Sequence, residues 1–140
     1  MKRVRVAAVV AVLGLLPFWT GCEAPPARAA QAPPATVWRT LGTWSGNGSR
    51  QTESFEVTTG ALRLNWESRI RAGASDGRFR VWLHSAISGR PLQLVVDQAG
   101  AGAGTAHVAD DPRVSYLVIE SEQVDWTAAL DEASAPTAQY

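Results

Sequence analysis

The chain has 140 residues, of which 46% are hydrophobic and 19% are charged, so it can form one small packed domain and is not composed like a disordered protein. Thirteen Lys and Arg residues balance thirteen Asp and Glu residues. Three of the basic residues lie at positions 2, 3 and 5, so the rest of the chain carries ten basic and thirteen acidic residues. Without a basic cluster there, the composition argues against nucleic-acid binding.

The first 21 residues have the pattern of a secretory signal peptide. Lys2, Arg3 and Arg5 form a basic start, and residues 6–19 follow without a charge. That apolar run is shorter than the roughly 20 residues that a membrane-spanning helix needs, and a short run after a basic start is typical of export signals. We therefore expect residues 1–21 to be a signal peptide.

The apolar run ends at Thr20, Gly21 and Cys22, and Cys22 is the only cysteine of the chain. This ending resembles the lipobox of bacterial lipoproteins, in which the cysteine becomes the mature N-terminus and carries acyl chains such as palmitate. The resemblance implies lipidation at Cys22 and attachment to a membrane, facing the periplasm or the exterior. Two or more acyl chains, at about 0.8 kcal/mol per buried CH₂, would hold the protein there.

The alternative is cleavage after the Ala27-Arg28-Ala29 triplet, which fits the small-x-small pattern of ordinary signal peptidase sites. Cleavage there would remove Cys22 and give a soluble secreted protein. In either case the exported domain has no pair of cysteines for an internal disulfide.

Residues 22–35 are predicted to be a tether. Residues 23–35 contain four prolines and six alanines. Paired prolines favour an extended polyproline II conformation, which rises about 3.1 Å per residue. The segment therefore separates the anchor from the folded domain.

From residue 36 onward the hydrophobic pattern has a period of two, as in β-strands with one buried face. Turn residues separate the runs, so residues 36–130 are predicted to form a single all-β domain. We expect an antiparallel β-sandwich of about seven or eight strands, jelly-roll-like or immunoglobulin-like, with a small β-barrel as the alternative. Residues 131–140 lack periodicity and are predicted to be a flexible tail. The alternating apolar positions are Phe55 and Val57; Leu62, Leu64 and Trp66; Phe79, Val81 and Leu83; Leu92, Leu94 and Val96; and Val124, Trp126, Ala128 and Leu130.

Residues 114–130 are predicted to contain the last hairpin, with residues 120–123 as its loop. The layout resembles the small secreted β-sandwich domains of bacterial lipoproteins and cell-surface proteins, and the resemblance implies a binding or structural module rather than an enzyme. It is carried by Phe55-Glu56-Val57, Leu64-Asn65-Trp66, Tyr116-Leu117-Val118-Ile119 and Trp126.

The sequence contains no motif with the spacing of a catalytic, metal or cofactor site. His84 and His107 are the only histidines, and neither forms a His-x-His or His-x-x-x-His pair. Residues 97–104 are rich in glycine but, apart from Asp97, lack the alternating acidic residues of a calcium loop, and they lack the lysine of a phosphate loop, so we expect a flexible loop. Ser45 lacks the preceding glycine of a nucleophile elbow. We predict no catalytic residue, no metal and no cofactor.

One sheet surface is the candidate binding site. If Phe79, Val81 and Leu83 point inward, Arg80, Trp82 and His84 point outward, and Arg63 does the same on the preceding long strand. Were these strands paired, the four side chains would share one surface suited to stacking on a sugar ring or a partner's aromatic group. The alternative is structural: Trp82 covers the sheet, and the arginines pair with Glu56 or Glu67.

These observations favour a non-enzymatic module of the bacterial envelope that binds a protein or glycan partner or has a structural role. The first alternative is a carbohydrate-binding module that uses Arg63, Arg80, Trp82 and His84. The second alternative is a soluble, secreted metal-binding protein.

Overall fold

The computed structural model describes residues 35–134, and all regular secondary structure in this range is β-strand. Nine strands follow one another along the chain: β1 (Trp38–Gly46), β2 (Arg50–Gln51), β3 (Phe55–Val57), β4 (Ala61–Ile70), β5 (Arg78–Ser85), β6 (Pro91–Ala99), β7 (Gly102–Ala109), β8 (Arg113–Glu122) and β9 (Val124–Ala133).

The strands form two antiparallel sheets that pack face to face. The four-stranded sheet has the order β1-β9-β4-β7, and the five-stranded sheet has the order β2-β8-β5-β6, with β3 also paired to β8. The predicted all-β sandwich is therefore confirmed. The strand count exceeds the expected seven or eight partly because it includes the two-residue strand β2.

The core lies between the sheets and consists of the alternating positions. Phe79 is fully buried at its centre, with its ring centroid 5.9 Å from those of Trp66 and Trp126. Trp44 and Trp126 are buried, whereas Trp38 and Trp82 are half-buried, so the tryptophans contribute unequally to the core. The buried apolar residues are Trp44, Phe55, Val57, Leu62, Leu64, Phe79, Val81, Leu83, Val96, Val108, Leu117, Ile119, Val124, Trp126, Ala128 and Leu130.

β8 and β9 do not form the predicted hairpin. β8 pairs with β2, β3 and β5, while β9 pairs with β1 and β4, so the chain changes sheet between Glu122 and Val124. Gln123 makes this change with a φ of 52°, and its carbonyl accepts a hydrogen bond of 2.9 Å from the Arg71 N–H. The alternation of apolar residues gives the buried face of each strand but not its neighbour, which is why the sequence suggested a hairpin.

The folded domain extends beyond the predicted boundary at residue 130. β9 continues to Ala133, and Asp131 and Glu132 are only 6% and 1% exposed. The predicted tail is thus wrong for residues 131–133, because they belong to β9 and both carboxylates are buried with hydrogen-bonding partners that are distant in sequence. Residues 135–140 lie outside the described residues.

The glycine-rich segment is mostly strand rather than the predicted loop. β7 begins at Gly102, and Gly100, with a φ of 73°, lies in the short connection from β6. The small residues allow close packing: a Cβ added at Gly104 would lie 3.4 Å from the Trp66 ring. β7 pairs with β4 in continuous register.

The predicted signal peptide, Cys22 and residues 22–34 of the tether lie outside the described range. Within residues 35–134, the chain forms no helix long and apolar enough to cross a membrane.

Candidate functional site

Three of the four candidate residues lie together on the outward surface of the five-stranded sheet. Arg80, Trp82 and His84 alternate along β5 with core residues, and all three are half-buried. Because β5 is flanked by β6 and β8, these side chains lie in the middle of a sheet surface rather than at its edge.

Arg63 does not join them. It lies on β4, which pairs with β7 and β9 in the other sheet, so the expected pairing of the two strands is wrong. The outward face of β4 is consequently on the opposite side of the sandwich. The prediction assumed that two consecutive long strands are paired, whereas consecutive strands of a sandwich can belong to different sheets.

The strands on either side add aromatic and apolar side chains next to Trp82 and His84. Trp82 pairs in register with Leu94 on β6 and with Val118 on β8. His84 pairs with Pro91 and with Tyr116, and the His84 and Tyr116 ring centroids are 5.3 Å apart. We call this surface the Trp82 face; it consists of Arg80, Trp82, His84, Pro91, Leu94, Tyr116, Val118 and Glu120.

The apolar pattern of β6 predicts Leu94 in the core, because Leu94 alternates with Val96. Two register shifts in the β5–β6 pair, after Val81 and after Leu83, change which β6 residues face outward. Val96 therefore remains buried opposite Val81, while Leu94 lies beside Trp82 and is 38% exposed. A β-bulge of this kind inverts the inside–outside pattern without any clear signal in the apolar residues themselves.

A shallow concavity of about 240 Å³ lies on the Trp82 face. Its walls are Trp82, His84, Pro91, Val118 and Glu120, which combine an indole ring and apolar side chains with one carboxylate. The His84 Nδ1 lies 3.2 Å from the Gly89 carbonyl oxygen. Since a carbonyl only accepts, a hydrogen bond there requires the proton on Nδ1 and leaves Nε2 of the neutral ring as an acceptor.

A row of charged residues borders the concavity. Arg78 donates two hydrogen bonds to Asp97, of 2.8 and 3.0 Å, and Arg80 lies 3.5 Å from both Asp97 and Glu120. The arginines thus have cross-strand acidic partners, as the structural alternative expected, but these are not Glu56 or Glu67. Beside this row, Ser49, Arg78, Arg80, Glu120, Ser121 and Glu122 line a second concavity of about 380 Å³.

The other candidate side chains are dispersed. His84 lies on β5 and His107 on β7, in different sheets. Arg113 forms ion pairs of 3.3 Å with Asp110 and 3.0 Å with Asp111. Among residues 35–134, no group of three or more His, Cys, Asp or Glu side chains is arranged to hold a metal ion.

No protein-family model matches the chain, and no curated protein matches it. A chain in the solved structure described as "Bacillus endospore appendages form a novel family of disulfide-linked pili" is similar to it in backbone. The two share 9% identity with a TM-score of 0.38, and the similarity covers 80% of this chain and 100% of that one. At this identity and TM-score the likeness carries no information about the Trp82 face.

Proposed function

We propose that the protein is a non-enzymatic binding module of the bacterial envelope, anchored through lipidated Cys22, and that its ligand binds the Trp82 face. The basic and apolar N-terminus, the lipobox-like Thr20-Gly21-Cys22 and the proline-rich residues 23–35 support export and anchoring.

The concavity at Trp82 is the main observation that supports the Trp82 face as the binding surface. It brings an aromatic ring, apolar walls and a carboxylate together on a continuous sheet surface, which is the combination found at the centre of many recognition sites. In the adjoining charged row, Arg78 and Arg80 form cross-strand ion pairs with Asp97.

Mass spectrometry of the membrane fraction tests the anchor. We expect a mature N-terminus at Cys22 that carries acyl chains, and we expect Cys22→Ser to move the protein out of that fraction. An unmodified N-terminus at Ala30 would instead identify a soluble secreted protein and overturn the anchoring proposal.

Binding to isolated cell envelopes tests the surface. Trp82→Ala should reduce binding at least tenfold, and Trp82→Phe, which keeps a planar ring, should retain most of it. Thr127→Ala is the control because Thr127 is exposed on the other sheet. Equal binding by Trp82→Ala and the wild type, with both folded, would exclude the Trp82 face.

Carbohydrate is the second candidate ligand, favoured by the position of Glu120 and His84 in the same concavity as the Trp82 ring. A sugar ring can stack on the indole while its hydroxyl groups donate to the carboxylate or to Nε2 of the imidazole. An array of neutral glycans separates the two candidates. Binding that Trp82→Ala abolishes identifies a carbohydrate site, whereas envelope binding without glycan binding identifies a protein partner.

A further inference from the structure

The outward surface of the four-stranded sheet contains a nearly buried carboxylate, that of Asp131. Its side chain accepts hydrogen bonds from Thr40 Oγ1 at 2.8 Å, Arg63 Nε at 2.9 Å and Asn65 Nδ2 at 3.3 Å. The neighbouring strands β1 and β4 supply these donors. The hydrogen bond from Arg63 Nε to Asp131 therefore fixes the position of the Arg63 side chain.

The Arg63 guanidinium also contacts the ring of Trp38. The Arg63 Cζ lies 4.3 Å from the centroid of the Trp38 ring, within the range of a cation–π contact. With Nε bonded to Asp131 and Cζ over an indole ring, the guanidinium has little rotational freedom left. Its ordering is thus achieved by the fold rather than by a ligand.

The two terminal nitrogens of Arg63 remain available. Neither Nη atom donates to an acceptor within residues 35–134, and the side chain is 32% exposed. This edge of a guanidinium presents parallel N–H groups that match the two oxygens of a carboxylate or phosphate. His107 extends the row, because it pairs in register with Arg63 and its ring centroid lies 6.2 Å from that of Trp38.

We propose that Arg63 and His107 form an oxyanion-binding site, which we call the Arg63 site, that takes a carboxylate or phosphate group of an anionic ligand. Arg63 donates two hydrogen bonds from its Nη edge, and the exposed His107 ring donates a third. Asp131 offsets part of the positive charge while it positions Nε, so we expect dissociation constants in the millimolar range for a free oxyanion. The site does not depend on the proposed function, because it lies on the opposite sheet.

Nuclear magnetic resonance of the full chain tests the site directly. Inorganic phosphate and glucuronate are titrated separately at constant ionic strength, and the Arg63 Nε–H and Trp38 indole resonances are followed. We expect saturable shifts of both resonances with at least one anion; a response to only phosphate or only glucuronate identifies which group the site prefers. The absence of a saturable shift at Arg63 with either anion would overturn the proposal.

Arg69 provides a matched control. It lies six positions along the same strand and the same outward face, where it pairs with Glu67 at 2.7 Å, and its side chain is 75% exposed. Arg63→Gln should abolish the response at Trp38, while Arg69→Gln, with the same change of charge, should leave the affinity unchanged. Equal loss in the two variants would show nonspecific attraction and overturn the site.

Arg63→Lys keeps the proposal testable if Arg63→Gln does not fold. Lysine retains the positive charge but not the forked geometry, so the affinity should fall about tenfold. Unchanged affinity in this variant would overturn the bidentate contact.

Discussion

The backbone N–H of Thr59 donates a hydrogen bond of 2.7 Å to the Glu132 carboxylate, although the two residues are 73 positions apart. Thr58 donates to the same oxygen at 2.6 Å, and Arg39 forms an ion pair of 2.7 Å with the other oxygen. Glu132 is 1% exposed, so its charge is buried only because these donors surround it. One side chain thereby joins the β3–β4 connection to β1 and β9.

We expect Glu132→Gln to lower the free energy of unfolding by about 2 kcal/mol, because charged hydrogen bonds are replaced by neutral ones and one donor loses its acceptor. Urea denaturation measures the difference. Glu67→Gln is the control: its ion pair with Arg69 is exposed on both sides, so the change should stay within about 0.5 kcal/mol. Equal effects in the two variants would contradict the structural role of Glu132.

The same carboxylate should make stability depend on acidic pH. Burial raises the pKa of Glu132, but hydrogen bonds from the Thr59 backbone, the Arg39 side chain and Thr58 outweigh it and lower the pKa from 4.5 to about 2. Between these values the unfolded chain binds the proton more readily, so stability falls as the pH falls.

The shift corresponds to about 3 kcal/mol that is present above pH 4.5 and is lost as the pH approaches 2. Denaturation midpoints measured across this range should therefore converge for the wild type and Glu132→Gln at the acidic end. A difference between them that stays constant with pH would contradict the lowered pKa.

Phe79 should be among the most costly core positions to truncate. Its ring is fully buried and contacts Trp66 and Trp126 across the sandwich, so Phe79→Ala should cost about 3–5 kcal/mol in unfolding free energy. Ile87→Ala removes another large apolar side chain, but one that is 84% exposed, and should change stability by no more than about 0.5 kcal/mol. Thermal or chemical unfolding of the two variants checks the contrast.

Alanine substitutions at two glycines with positive φ, Gly60 and Gly73, distinguish the cost of backbone strain from the cost of a steric clash. Gly60 has a φ of 77°, and a Cβ there would lie 2.0 Å from the Asp110 carbonyl oxygen. Gly73 has a φ of 86°, and a Cβ there would meet nothing within 4 Å. Gly73→Ala should therefore cost about 1 kcal/mol, and Gly60→Ala about 1–3 kcal/mol more, by chemical denaturation. Equal costs would mean that the chain near Asp110 moves aside readily.

The Trp82 face was only partly predictable. Alternation along β5 correctly predicted that Arg80, Trp82 and His84 face outward, because the buried residues between them fix that face. It did not predict that Leu94 lies next to Trp82, since the register shifts in the β5–β6 pair depend on backbone geometry and not on hydrophobicity. Arg63 was predicted on this surface because β4 and β5 follow each other in the chain and were expected to pair, but they lie in different sheets.

The grouping of residues at the Arg63 site was even harder to predict from the sequence. Asp131 follows Leu130, the last large apolar residue of β9, and resembles the start of a polar tail. Its donors come from β1 and β4, which lie as many as 91 positions away in the chain. No local sequence pattern predicts hydrogen bonds between residues so far apart in the chain.

The order of apolar and polar residues was enough to predict an all-β domain and the buried face of most strands, because side chains alternate between the two faces of an extended chain. β6 is an exception, since its bulges place Leu94 on the outward surface. The folded structure was needed to show which strands are neighbours, where the chain changes sheet at Gln123, and why Asp131 and Glu132 can be buried. Strand pairing depends on turns, bulges and contacts between distant segments, and the energy of a buried charge is set by donors that only the folded chain brings together.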